Sequence, residues 1–102
     1  MKPFDIYEAD HPWRTSEYRR PFLLVRPTPA GGWACFAIST KDYGGAPFEV
    51  NKSDPDFPAT GLSDTSYIYD LRFEEVAADE FRKRYGELAG NLLARFRSDS
   101  GL

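Results

Sequence analysis

A chain of 102 residues and 11.6 kDa fits one domain and leaves no length for a second. Hydrophobic residues make up 41% of it and aromatics 16%, which excludes a disordered chain because that much bulky apolar area offsets the entropy of ordering. The single cysteine, Cys35, excludes an internal disulfide and a thiolate zinc cage and suits a reducing cytoplasm.

The net charge of -3 argues against a general nucleic-acid coat, yet the charge is uneven along the chain. Residues 1–52 hold seven Lys/Arg against six acids, and residues 53–102 hold six against ten. An anion-binding surface is therefore expected mostly in the first half. No apolar run approaches the ~20 residues of a membrane span, and Met1-Lys2-Pro3-Phe4 lacks the layout of a signal peptide, so a soluble, unexported protein is expected.

Taken in chain order, Phe4–Ala9 alternates apolar and acidic residues and predicts a strand with one wet face. Residues 10–19 form a polar loop carrying His11, Pro12 and Trp13. Pro21–Arg26 and Trp33–Ser39 are apolar on both sides and predict central strands; Pro27-Thr28-Pro29-Ala30-Gly31-Gly32 between them closes a hairpin. A polar loop over Lys41–Gly45, a short strand over Pro47–Val50, a long loop over Asn51–Gly61 and a β-prone segment over Thr65–Leu71 follow. From Ala77 onward Phe81, Tyr85, Leu88, Leu92 and Phe96 recur at helical steps, predicting a helix with a break near Gly86. Strands followed by a helix predict a mainly β, α+β domain or a barrel with an appended helix.

With Arg26 opposite Trp33 across the hairpin, paired numbers sum to 59. Val25 then meets Ala34, Leu23 meets Phe36, and Arg20 meets Ser39 at the far end. Directly opposed residues share a face with Cβ atoms about 5 Å apart, so a guanidinium and a hydroxyl converge there. Such a pair suits phosphate, since the guanidinium binds two oxygens at once and stays charged. His11, the sole histidine, precedes the strand end by a loop, and its ordinary pKa suits proton transfer near neutrality. Each residue also has a plain role. His11 can stand idle in solvent, Arg20 can bridge Glu17 or another acid, Ser39 can bond backbone, and Cys35 in a central strand is a small buried hydrophobe. Asp54, Asp56, Asp64 and Asp70 lack the spacing of a calcium loop, so no metal site and no cofactor is assigned.

Arg20-Pro21-Phe22-Leu23-Leu24-Val25, Ala37-Ile38-Ser39-Thr40-Lys41, Pro47-Phe48-Glu49-Val50, Gly61-Leu62 with Ser66-Tyr67-Ile68, and Gly86-Glu87-Leu88 follow one another as in a known family. With Asp5-Ile6-Tyr7 as first strand, the chain resembles the PemK/MazF-like toxins of toxin-antitoxin systems. The resemblance implies an SH3-like β-barrel with a C-terminal helix. It also implies a cytoplasmic homodimer, a cognate antitoxin as partner, and metal-independent cleavage of single-stranded RNA.

On that resemblance Arg20 and Ser39 are the catalytic pair, Thr40 and Lys41 beside them contact RNA, and His11 or Asp70 accepts the proton. Tyr69 stands where the family has an arginine, a departure that bears on proton transfer. Trp13, Tyr18 and Tyr43 are candidates to stack unpaired bases. Two other classes compete. A non-catalytic CcdB-like gyrase inhibitor shares the barrel, but the tail Phe96–Leu102 lacks a Trp-Gly-Ile-like ending; an inactive interaction module would make Arg20 and Ser39 structural.

Overall fold

Alternation and β-branched or aromatic content set six strands in a computed structural model that describes residues 1–10 and 19–102. The strands are β1 (Asp5–Asp10), β2 (Arg19–Pro27), β3 (Trp33–Ser39), β4 (Phe48–Val50), β5 (Ser66–Val76) and β6 (Phe81–Glu87), and the helix α1 (Gly90–Ser100) follows them. Every pairing is antiparallel, in the order β4-β5-β3-β2-β1-β6. The fold is mainly β with one C-terminal helix, in the α+β class, and among the described residues β4 and β6 do not pair to close the sheet.

Both faces of the sheet are apolar, as the unbroken runs in β2 and β3 require. On one face Ile6, Leu23, Phe36, Ile38 and Ile68 meet Leu92 and Phe96 of α1. Phe96 sits edge-on to Phe48 at 5.3 Å and to Phe36 at 6.2 Å. On the far face Ala9, Phe22, Leu24, Cys35, Ala37 and Val76 form a second cluster. Asp56 fixes the start of α1 by accepting from the N–H groups of Asn91 (3.0 Å) and Leu92 (3.3 Å), and Gly101 ends it in a left-handed turn.

Two expectations need correction. The stripe beginning at Phe81 is not helical up to Gly86: 81–87 is a strand on β1, and Leu88, Leu92 and Phe96 of it are buried in the helix-side core with Tyr85 packed against them. Steps of four satisfy a period of 2 as well as one of 3.6, so Phe81 and Tyr85 carried no helical information by themselves. Register shifts between β1 and β6 then send Phe81 to the far face and Tyr85 to the helix side.

The hairpin register also differs near its turn. Phe22 meets Ala37, Leu23 meets Phe36 and Leu24 meets Cys35 as the sum of 59 requires, but Arg26 meets Ala34 and Pro27 meets Trp33. Val25 is the extra residue of a bulge, so Arg26 does not face Trp33 and Val25 does not face Ala34. A larger bulge interrupts β5, where Cys35 pairs with Glu74 and Ala37 with Tyr69, leaving Asp70–Phe73 opposite Phe36 alone. Among the described residues no helix is long and apolar enough to cross a membrane.

Candidate nucleic-acid groove

Beyond the Val25 bulge the expected register holds from Leu24 to Phe22, and just past its last pair, Phe22 with Ala37, lie Arg20 and Ser39. Both line one open groove of about 570 Å³. Pro21 and Ile38 contribute from the same strands, Gly61, Leu62, Ser63 and Ser66 from the β4–β5 connection and the start of β5, and Lys83, Arg84 and Tyr85 from β6. Arg20, Lys83 and Arg84 supply positive charge, Ser39, Thr40, Ser63, Ser66 and Tyr85 supply hydroxyls, and no acidic side chain is among the described lining residues. Such a surface takes an anion with several oxygens.

The wall on the β6 side is built by close backbone approach. The 3₁₀ turn Pro58–Thr60 lies so near β6 that a Cβ on Gly86 would fall 2.1 Å from the Ala59 carbonyl oxygen, and one on Gly61 2.0 Å from that of Tyr85. Gly61 also has φ +70°, a region that glycine adopts without strain. The Tyr85 hydroxyl donates to Glu8 at 2.9 Å; burial first, then this bond, pushes the phenol above its ordinary pKa and keeps it protonated. Lys83 lies over the Tyr85 ring at 5.4 Å. Arg84 binds Asp5 and Glu87, each at 3.2 Å. Burial alone would raise the Asp5 carboxyl, but hydrogen bonds from Lys2 and Arg84 outweigh it and hold it below the usual range.

Ser39 Oγ accepts from the Lys41 N–H at 3.1 Å, the backbone bond a strand-end serine commonly makes, and a hydroxyl that accepts still has a proton to donate. Next to Arg20, Arg19 reaches Asp10 at 3.3 Å and Glu8 at 3.8 Å, and Glu17, the acid weighed as a partner for Arg20, lies outside the described residues. Thr40 lines the groove, whereas Lys41 and Tyr43 lie on the loop beyond it, outside the lining. Asp70 opens the β5 bulge and is likewise not a lining residue. His11, Trp13 and Tyr18 lie outside the described residues. Two of the three cations among the described lining residues, Lys83 and Arg84, come from β6 in the second half of the chain. Read as part of a helix, they gave no sign of facing Arg20.

Glu74 is the other residue that sequence reasoning missed. It is 9% exposed, pairs with Cys35 on the far face, and its Oε2 has no hydrogen-bond partner among the described residues. Burial pushes its carboxyl up, while the charges of Arg20 and Arg72 pull it partway back. Burial, with the Glu74 charge second, also pushes the Cys35 thiol up to about 12, which leaves it inert. Among the described residues no three His, Cys, Asp or Glu side chains gather to hold a metal ion.

Because the folded carboxyl of Glu74 titrates above the unfolded one, ionising it works against the fold. Its contribution is intact below the unfolded pKa and is lost as pH rises through the folded value. Glu74→Gln is expected to raise Tm at pH 7, with the gain disappearing below about pH 4. Thermal scans across that range check it, and an equal gain at both ends would assign the effect to packing.

No known protein family matches the sequence, and no curated protein matches it.

Proposed function

We propose that this chain is a metal-independent endoribonuclease for single-stranded RNA, a toxin of the PemK/MazF-like kind on an SH3-like barrel. The turn at Pro58–Thr60, pressed against β6, brings the two ends of the sheet order together and supports reading it as that barrel. The observation that carries the reading is the meeting of Arg20 and Ser39 in one basic, hydroxyl-lined groove with no carboxylate among its described lining residues.

In the reaction the 2′-oxygen bonds to the adjacent phosphorus and the bond to the 5′-oxygen breaks, leaving a cyclic phosphate and a 5′-hydroxyl. Arg20 stabilises the charge that builds on the phosphorane, and Ser39 donates to a nonbridging oxygen. Lys83 holds a flanking phosphate, beside Arg84, which is tied to Asp5 and Glu87. A guanidinium is no base at working pH, so the 2′-proton passes to His11 or Asp70, the two acceptors that the resemblance to the toxins offers. The departing 5′-oxygen takes a proton from the acid so formed or from water. Cytoplasmic location, a second copy of the chain and a cognate antitoxin belong to the same reading.

The test is cleavage of a mixed-sequence single-stranded RNA in a chelator, with the all-deoxy strand alongside. Cyclic-phosphate ends on the RNA alone are expected, slowed about 100-fold by Ser39→Ala. Cutting of the deoxy strand, or cutting that depends on added divalent metal, ends the proposal.

A further inference from the structure

Just past the groove, the loop between β3 and β4 holds an aromatic pair in the open. Tyr43 is 68% exposed, and its ring lies 6.2 Å from that of Tyr69 at a tilt of 42°. The Tyr69 hydroxyl donates to the Lys41 carbonyl at 2.6 Å and accepts the Tyr43 N–H at 2.7 Å, so one phenol ties the loop on both sides of Asp42. Asp42 in turn accepts from Gly44 N–H at 2.8 Å. Gly44, Gly45 and Ala46 follow with φ of 89°, 80° and 54°. For Ala46 that conformation costs about 1 kcal/mol or more, and such a residue persists only where its surroundings over-determine it. A single exposed tyrosine needs no explanation. One presented on a strained, doubly tethered loop, with a second ring beside it, is a surface whose ordering has been done before any ligand arrives.

We infer that Tyr43 and Tyr69 form a stacking platform for one unpaired nucleobase of the strand whose phosphates lie in the groove. The occupant follows from position and charge. Thr40 lines the groove and Tyr43 is three residues on, a reach of at most about 11 Å. Lys41 stands between them, so a polyanion lying along Arg20, Lys83 and Thr40 meets a cation and then two π-faces. Leu71, 79% exposed and next to Gly45, adds an apolar flank. Every base has a π-face, so the platform holds a position along the strand without reading its sequence. The inference rests on the ribonuclease reading for its choice of ligand, but stacking does not use the 2′-hydroxyl.

A single-stranded deoxy oligonucleotide of mixed sequence is therefore the probe, titrated at low and high salt without turnover. Tyr43→Ala is expected to weaken binding by about 5- to 150-fold at both salt concentrations, the range that loss of a stacking ring gives. Tyr43→Trp keeps native affinity, and Tyr69→Phe falls between, since its ring remains and its tether is gone. Lys83→Ala instead lowers the slope of log affinity against log salt by about 0.7. Native-like binding by Tyr43→Ala, with Lys83→Ala impaired, overturns the platform and leaves the groove. Failure of the native protein to bind overturns both. If the native protein binds but leaves RNA intact, only the nuclease reading falls, and Tyr43→Ala still decides the platform.

Discussion

Arg20→Ala is expected to lower RNA cleavage by about 10²- to 10³-fold, the effect of removing one fixed donor from a site where charge develops. Arg20→Lys should recover little of it, because an ammonium is a point charge and cannot hold two phosphate oxygens in one plane. A complication follows from Glu74, whose buried carboxyl is lowered by the Arg20 charge before that of Arg72. Removing Arg20 raises that carboxyl further, so the single variant loses stability at neutral pH as well as activity. The cleaner comparison is made in Glu74→Gln, where the buried charge is gone. If Arg20→Ala/Glu74→Gln is folded by circular dichroism and cuts like Glu74→Gln alone, the guanidinium has no part in the chemistry.

Gly86→Ala is expected to destabilise the domain by about 3 kcal/mol or more, by overpacking against backbone that has no rotamer to change. The added methyl group would stand 2.1 Å from the Ala59 carbonyl oxygen and 2.7 Å from the Thr60 carbonyl carbon, so the 3₁₀ turn must leave β6. At this chain length that loss lowers Tm by roughly 10–20 °C. The groove should suffer with the fold, because Gly61 and Tyr85 line it and their backbones meet at the same contact. Gly44→Ala is the control: it has φ +89° but nothing within 4 Å, so it bears only the conformational penalty of about 1 kcal/mol. Equal losses in urea unfolding for the two variants would remove any special role for the approach of the turn to β6.

What could be read from the residues depended on whether one pattern had one meaning. Trp33–Ser39 is apolar without a break and bounded by glycine and a polar loop, and it is β3 to the residue. The far half of the hairpin was equally legible, because a slip of one place would have turned Leu23 and Phe36 away from the helix-side core. Val25 looked like any other strand residue, and nothing in its type announces a bulge. Phe81 and Tyr85 fit two periods at once, and choosing the helical one hid Lys83 and Arg84 from the groove. Glu74 was invisible for a different reason. Paired acids in a chain of net charge -3 read as a solvated face, and only the pairing with Cys35 shows that one of them is enclosed. That Arg20 and Ser39 share one groove follows from the local hairpin that brings their strand ends together; the wall opposite them comes from far along the chain, where adjacency is a property of topology.

The four-against-one step in β5 has a wider effect than displacing Asp70–Phe73. Ile68, before it, packs beneath α1, while Val76, after it, packs in the opposite layer, although both are even-numbered residues of one strand. β5 thus crosses from one side to the other like a stitch through cloth. Neither layer can loosen without tugging the thread that fastens its counterpart, and the two melt together as a single cooperative body.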